Sequence, residues 1–288
     1  MDLSERIIEV GDVRLSIAEA GAGQRPLLLV HGFTGAKEDF TPWLTMLAKA
    51  GWHAVAPDLR GHGLSSKPEA ESAYTFELMA RDMLGLADAL GWDRFVLLGH
   101  SMGGMVAQFM ACDSPARLAG LILMDTSHRA LDNLDPGLVD AAASIVRSEG
   151  MAALAAILAE HAGPLDTAAN QRLLADEPGY AEFCDRKFLA AAPAMYAAMA
   201  PAFVTASDRL DSLRELPAGL PVLVIVGEQD EPFRGPSARM AACVGDASLA
   251  VISDAGHCPQ FENSREWWEA LSGFLTRVSP LAAPAAAT

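Results

Sequence analysis

Short apolar runs recur along the chain and alternate with segments of helical periodicity. The runs lie at residues 27–30, 53–56, 95–98, 121–124, 222–226 and 249–252. Several are continuously apolar, which is typical of strands buried on both faces of a parallel sheet. Segments 7–10 and 13–18 flank Gly11-Asp12 and predict an antiparallel hairpin ahead of them. The alternation therefore predicts an α/β fold, with a mostly parallel, doubly wound sheet and helices on both of its faces.

Helices are predicted where apolar residues recur at intervals of three and four. Residues 75–90 have this spacing and end before Gly91. The last such segment, 265–278, gathers its apolar side chains on one face, with Ser264 as the predicted N-cap. The alternation of these helices with the strands is the pattern expected of one α/β core, in which helices pack on both faces of a sheet.

One long segment interrupts this alternation. Residues 131–216 show no strand pattern, only Ala-, Leu- and Met-rich helical stretches broken by glycine and proline. We interpret the segment as a helical cap inserted between two late strands, over the end of the sheet where ligands bind. The predicted domains are thus a core at 1–130 and 217–279 and a cap at 131–216. The Ala/Pro-rich tail, 280–288, is predicted to be disordered.

Composition narrows the possible partners. The chain has 288 residues, is 51% hydrophobic and carries a formal net charge of −16, which argues against a nucleic-acid partner. No apolar run approaches the roughly 18–20 residues needed to span a bilayer, so we expect no membrane insertion. The first residues lack a signal-peptide pattern, which favours a cytoplasmic location. The four cysteines lack metal-ligand spacing and no cofactor motif is present, so we expect neither metal nor cofactor; the oligomeric state stays open.

The most informative motif is Gly-His-Ser-Met-Gly at residues 99–103. It follows the apolar run 95–98 directly and precedes a helical stretch at 105–111. A strand that ends in G-x-S-x-G and turns at once into a helix holds its serine in a sharp, strained turn with the hydroxyl exposed. Ser101 is therefore the candidate nucleophile.

A serine hydroxyl needs a base, and the base needs a carboxylate. Of the seven histidines, His257 is the one in a loop between the last predicted strand and the final helix. Asp230 follows the strand at 222–226, and the chain order Ser101, Asp230, His257 is the one this architecture requires. Asp125, directly after 121–124, is the alternative acid.

Acyl transfer also needs donors for the negative charge that develops on the carbonyl oxygen. The backbone N–H of Met102, next to the nucleophile, is the first candidate. The second is the N–H of Phe33, because Gly32 lets the chain turn after the strand at 27–30.

Five motifs resemble the α/β-hydrolase fold superfamily over nearly the whole chain. They are HGF at 31–33, DLRGHGLS at 58–65, GHSMGG at 99–104, GEQD at 227–230 and GHCPQFE at 256–262. The resemblance implies that Ser101, Asp230 and His257 are nucleophile, acid and base, with Phe33 and Met102 as oxyanion donors. It also implies that Asp58 and Arg60 are buried scaffolding rather than catalytic groups.

Within the superfamily, the sequence most resembles capped serine carboxylesterases and monoacylglycerol-lipase-like hydrolases. Epoxide hydrolases and haloalkane dehalogenases resemble it too, but have aspartate at the position of Ser101. We therefore expect a serine hydrolase that cleaves small to medium apolar carboxylic esters through an acyl-enzyme. The alternatives are a C–C bond (meta-cleavage product) hydrolase, for which Cys258 after the histidine is atypical, an enol-lactonase, or a non-catalytic small-ligand receptor.

The predicted cap supplies apolar side chains for a substrate pocket. Met151, Phe188, Met195 and Met199 are the predicted pocket residues, and Phe183, Tyr196 and Phe203 are further candidates. Such a lining favours apolar acyl or aryl groups. The competing interpretation is that these side chains form the cap's own core.

Overall fold

The computed structural model describes residues 2–161, 163 and 165–278, and the predicted disordered tail lies outside them. The strands are β1 (Ser4–Val10), β2 (Val13–Ala20), β3 (Pro26–Val30), β4 (His53–Pro57), β5 (Phe95–His100), β6 (Leu118–Met124), β7 (Val222–Gly227) and β8 (Ala247–Ile252). The helices are α1 (Thr41–Lys49), α2 (Phe76–Ala89), α3 (Met102–Asp113), α4 (Pro136–Glu149), α5 (Met151–Leu158), α6 (Ala168–Asp176), α7 (Tyr180–Ala190), α8 (Pro193–Thr205), α9 (Leu210–Arg214), α10 (Glu231–Cys243), α11 (Pro259–Glu262) and α12 (Ser264–Arg277).

The strands form one sheet in the order β1-β2-β4-β3-β5-β6-β7-β8. The β1–β2 and β2–β4 pairs are antiparallel, and every other pair is parallel. Each predicted strand is present, and the predicted fold class is confirmed. The carboxyl ends of β3, β5, β6, β7 and β8 therefore meet at one edge of the sheet.

The central strands are buried on both faces, as their continuous apolar runs predict. In β3, Leu28 and Val30 pack into one hydrophobic cluster, while Leu27 and Leu29 pack into the cluster on the opposite face. Helices α2, α3 and α10 cover the first face, and α1 and α12 cover the second. This two-sided burial follows from the period of two in a strand.

The predicted N-cap of the last helix is wrong by one residue. Helix α12 begins at Ser264, and the side chain of Asn263 accepts a hydrogen bond from the Glu266 N–H at 3.3 Å. The Asn263 amide also donates to the Ser253 carbonyl at 2.8 Å. Because asparagine can cap the helix and hold the preceding loop with one side chain, it takes the position predicted for Ser264.

Six helices, α4 to α9, lie between β6 and β7, and the described residues of this segment contain no strand. The cap is thus helical and inserted between two late strands. Helix α8 packs against α4 within it. Within the described residues no single helix is long and apolar enough to cross a membrane, although α7 and α8, bent by 98°, meet the length and composition limits as a pair.

The motif at residues 58–65 is structural, as expected. Asp58 is fully buried and accepts hydrogen bonds from the Lys37 N–H at 2.8 Å and the Leu64 N–H at 2.9 Å. Arg60 forms a two-pronged ion pair with Asp82, at 2.5 and 2.7 Å. Both motif residues therefore hold the chain between β4 and α2.

Candidate active site

Ser101 occupies a strained turn between β5 and α3. Its backbone has φ 52° and ψ −117°, a conformation that residues other than glycine rarely adopt. The Ser101 carbonyl accepts hydrogen bonds from the Gly104 N–H at 2.9 Å and from the Thr126 hydroxyl at 2.7 Å. The turn keeps the serine partly exposed at the N-terminus of α3. This geometry is the one the motif predicts.

Two glycines make this turn possible. A Cβ on Gly99 would lie 2.2 Å from the Gly103 carbonyl oxygen, and one on Gly103 would lie 2.4 Å from the Val30 carbonyl oxygen. The strands and the helix therefore approach more closely than any side chain allows.

The loop after β3 lies against the nucleophile. A Cβ built on Gly32 would be 3.1 Å from the Ser101 Cβ, so the backbone of Gly32 and Phe33 borders the serine. Met102 is the first residue of α3, where N–H groups have no acceptor within the helix. The backbone hydrogen bonds of the described residues include none from the Phe33 N–H. Both predicted oxyanion donors are thus near Ser101 and without a backbone acceptor.

His257 and Asp230 meet as a buried pair. His257 Nδ1 lies 2.8 Å from Asp230 Oδ2, and the two residues are 8% and 1% exposed. Asp230 lies between β7 and α10, and His257 lies in the loop between β8 and α11. The ring of Phe233 packs against the imidazole, with centroids 4.7 Å apart. A carboxylate at Nδ1 leaves Nε2 as the nitrogen that can take a proton.

Asp125, the alternative acid, lies beside this pair rather than in its place. It follows β6 with φ 44°, is fully buried, and its Oδ1 accepts the Gly227 N–H at 2.8 Å. Its hydrogen bonds among the described residues do not include His257, which is held by Asp230. Burial, followed by the neighbouring charge of Asp230, raises the pKa of Asp125 well above its ordinary value.

Two further residues hold the His257 loop, and sequence reasoning gave neither a role. His100 Nε2 lies 2.8 Å from the His257 carbonyl oxygen, and burial, with the neighbouring His257, lowers the pKa of His100 to about 3. The neutral ring therefore donates from Nε2. Glu262 accepts the N–H groups of Gly256 at 2.6 Å and Cys258 at 3.2 Å, on either side of His257. The sequence signal for either residue is its place inside the motifs at 99–104 and 256–262.

A second histidine–carboxylate pair is not equivalent. His128 Nδ1 lies 2.8 Å from Asp208 Oδ1, which resembles the arrangement at His257. Its Nε2, however, accepts a hydrogen bond from Arg239 Nε at 3.1 Å. Because both ring nitrogens are engaged, His128 has no nitrogen left to accept a proton from a nucleophile.

Asp125, Asp230 and His257 form the cluster of potential metal ligands found among the described residues, with one ligand atom from each within 4.8 Å of the others. The Nδ1 of His257 is already hydrogen-bonded to Asp230. Within the cluster, His257 Nδ1 and Asp230 Oδ2 are thus arranged as the donor and the acceptor of one hydrogen bond.

The four predicted pocket residues are buried or partly buried in one hydrophobic cluster. Met195 and Met199 are fully buried, Met151 is nearly so, and Phe188 packs against the same hydrophobic cluster. None of the four lines either of two surface cavities, of about 470 and 440 Å³. Their packing agrees with the competing interpretation of a cap core, and their contact with substrate stays a prediction.

Two other aromatic side chains of the cap pack against Phe33, in the loop after β3 that carries a predicted oxyanion donor. The Phe33 ring packs against Tyr196 and Phe203 of α8, with centroid distances of 4.9 and 5.0 Å. Both were among the wider set of cap candidates. Helix α8 thus places an apolar wall directly over the loop that borders Ser101.

Comparison with known proteins identifies the family. A family model described as the alpha/beta hydrolase fold matches residues 25–264. The chain belongs to this family, and its sheet with flanking helices is that fold.

Solved structures resemble almost the whole chain. An esterase from Thermogutta terrifontis is 32% identical with a TM-score of 0.82, covering 96% of this chain and 99% of that one. The enol-lactonase from Burkholderia xenovorans is 24% identical with a TM-score of 0.82, covering 94% of this chain and 100% of that one. At the latter identity the likeness concerns the fold alone.

The curated relatives match a smaller part of the chain than these structures do. Epoxide hydrolase A from Mycobacterium tuberculosis is 38% identical over 122 residues, which are 41% of this chain and 38% of that protein. The match thus spans about two fifths of the relative's length. It supports the family and leaves the reaction to be argued from the site.

Proposed function

We propose that the protein is a serine hydrolase that cleaves carboxylic esters of small to medium apolar substrates through an acyl-enzyme. One observation carries the proposal. Ser101 stands in the strained turn at the carboxyl edge of the sheet, and the same edge holds the hydrogen-bonded pair His257–Asp230. These are the nucleophile, base and acid of acyl transfer.

The reaction begins when His257 Nε2 takes the proton of the Ser101 hydroxyl as Oγ attacks the ester carbonyl. Asp230 accepts the Nδ1–H at 2.8 Å, which orients the ring and stabilises its charged form. The tetrahedral intermediate collapses as the imidazolium gives its proton to the leaving alcohol. Water then attacks the acyl-enzyme with His257 as base and releases the acid.

The developing oxyanion is stabilised by the N–H groups of Phe33 and Met102. Both border Ser101, and Met102 adds the positive end of the α3 dipole. Each such donor contributes about 3 kcal/mol to stabilisation of the transition state in a water-poor site.

Serine at the turn favours an ester substrate over an epoxide. An aspartate nucleophile forms an alkyl ester with an epoxide, and a base then activates water to hydrolyse it; a serine would form an ether that water does not hydrolyse. A serine that attacks a carbonyl forms an ester intermediate, which the same His257 can hydrolyse. The apolar wall of Tyr196 and Phe203 above Phe33 supports acyl or aryl groups of low polarity.

Hydrolysis of p-nitrophenyl esters from C2 to C12 tests the proposal. We expect turnover on part of this series, and the chain-length optimum measures the space beneath the cap. Ser101→Ala lowers kcat by about 10⁴-fold or more, because the nucleophile is lost. The matched control is Ser148→Ala, which removes a hydroxyl on an exposed helix face and leaves kcat unchanged.

A wild-type enzyme no faster than Ser101→Ala on every ester would overturn the proposal. A lactone and a vinylogous diketone acid, assayed in parallel, then distinguish an enol-lactonase from a C–C bond hydrolase. Tight binding of a small ligand without any turnover would instead identify a receptor.

A further inference from the structure

Two buried carboxyl groups lie side by side where β6 and β7 end. Asp125 is fully buried and Asp230 is 1% exposed. One oxygen of each is engaged: Asp125 Oδ1 accepts the Gly227 N–H, and Asp230 Oδ2 faces His257 Nδ1, both at 2.8 Å. The other two oxygens, Asp125 Oδ2 and Asp230 Oδ1, are buried and have no hydrogen-bond partner among the described residues. Carboxyl oxygens of the two residues lie within 4.8 Å of each other.

Two ionised carboxylates at this place would be costly. Each would carry an unsatisfied buried oxygen, and the two like charges would repel in a region of low dielectric. A single proton removes both costs, because a protonated carboxyl becomes a hydrogen-bond donor to its ionised neighbour. The two unpartnered oxygens then satisfy each other.

We propose that Asp125 is protonated at neutral pH and donates its Oδ2 hydrogen to Oδ1 of Asp230, as a positioning residue for the catalytic acid. The inference rests on the proposed function, in which Asp230 serves His257. With Oδ1 held by Asp125, the carboxylate of Asp230 is fixed from one side, and its Oδ2 stays directed at the imidazole. Asp125 itself contacts neither the nucleophile nor a reacting atom.

The groups around the pair keep the proton on Asp125. From α11 comes Glu262, which is partly buried and whose pKa is raised by that burial, and from the β8–α11 loop comes His257. His100, at the end of β5, is neutral because burial lowers its pKa to about 3. No lysine or arginine forms an ion pair with Asp125 or Asp230 among the described residues. With no cation to compensate a second negative charge, burial and the neighbouring charge of Asp230 raise the pKa of Asp125.

Two substitutions separate a protonated Asp125 from an ionised one. Asp125→Asn is neutral and keeps both the donor toward Asp230 and the acceptor for Gly227, so it mimics the protonated acid. We expect kcat within about threefold of the wild type and an unchanged acid limb of the pH profile. Asp125→Leu has similar volume but no donor, and we expect kcat to fall about tenfold or more with KM nearly unchanged.

An ionised Asp125 predicts the opposite pattern. Its negative charge would support the positive charge on His257, so Asp125→Asn would move the acid limb to lower pH. Such a shift, or an equal loss of kcat in Asn and Leu variants, would overturn the inference. Activity that EDTA leaves unchanged in the wild type and in Asp125→Asn keeps a metal at this cluster from mimicking either result.

Thermal unfolding tests the proton without any assay of activity. Above the ordinary carboxyl pKa of 3.8, unfolded Asp125 releases its proton while the folded protein keeps it. The folded state then binds more protons, so wild-type stability falls as pH rises, whereas Asp125→Asn lacks this contribution. We expect the Tm of Asp125→Asn relative to wild type to rise from pH 4 to pH 7.

A relative Tm that stays flat or falls over this range would overturn the inference even if the ester assay succeeds. A rise would support it even if no ester is cleaved, so the failures of the two proposals are distinguishable. The control is Asp208→Asn, because the pKa of Asp208 is lowered through its hydrogen bonds to the Leu210 N–H and His128 despite partial burial, and its relative Tm does not rise with pH.

Discussion

At the scale of single residues, the same side chain takes different roles according to its partners. Burial lowers the pKa of His31, His62 and His100, so each is a neutral hydrogen-bonding group. His257 alone combines a buried carboxylate at Nδ1 with a place beside the nucleophile turn. Sequence reasoning found it by its position after the last strand. His100 was passed over, because its contact with the His257 carbonyl joins residues 157 positions apart.

The acid of the proposed triad can be tested at this scale. Asp230→Asn removes the charge that stabilises imidazolium and offers an amide to Nδ1, so we expect kcat on the best ester to fall about 10³–10⁴-fold. Asp208→Asn makes the same change in the second histidine pair and leaves kcat unchanged. Near-normal turnover by Asp230→Asn would contradict the assignment and return the role to Asp125. Steady-state kinetics with circular dichroism of each variant distinguish lost chemistry from lost folding.

At the scale of elements, the hydrophobic pattern predicts each strand. Two-sided burial gives the central strands continuous apolar runs, such as the one that begins Phe95–His100, whereas the mostly exposed β1 is predicted from the hairpin turn that follows it. The hydrophobic pattern does not predict the order of the strands in the sheet, because neighbouring strands such as β3 and β5 are 60 or more residues apart along the chain. The two acids illustrate the limit. Asp125 and Asp230 were weighed as alternatives from their places after strands, but β6 and β7 are adjacent, so both occupy one site.

The close approach of elements at the nucleophile turn makes a prediction about glycine. Gly103→Ala would place a Cβ 2.4 Å from the Val30 carbonyl oxygen, so β3 and α3 must separate. We expect a loss of about 2 kcal/mol or more in unfolding free energy, with loss of activity. Gly273→Ala is the matched control: it lies within α12 with open space at its Cβ, and we expect a gain of about 0.5–1 kcal/mol. Urea denaturation measures both, and equal effects would contradict the steric argument.

At the scale of the whole molecule, the ion pairs between the helices of the cap and the core differ in burial, and two of them show the difference. Lys187 of α7 pairs with Asp39, and the two side chains are 14% and 7% exposed. Arg147 of α4 pairs with Glu71 at 2.6 Å, with side chains 47% and 42% exposed. Asp39 also accepts the Ala36 N–H at 3.1 Å. The less exposed Lys187–Asp39 pair therefore connects the cap to the segment that follows the loop containing Phe33.

We expect the loss of each pair to lower the unfolding free energy by a different amount, because the cost of an unpaired charge increases with its burial. Burial alone lowers the pKa of Lys187, but the charge of Asp39 outweighs it and the pKa is raised, so Lys187 is protonated. Lys187→Met leaves the carboxylate of Asp39 buried without its cation, and we expect unfolding free energy to fall by about 3 kcal/mol. Arg147→Met leaves Glu71 in contact with water, and we expect the unfolding free energy to fall by about 1 kcal/mol or less. The double variant Lys187→Met/Asp39→Asn, which removes the stranded charge, should recover part of the loss. Urea denaturation of the wild type and the three variants measures these costs, and a Lys187→Met cost no larger than that of Arg147→Met would contradict the argument from burial.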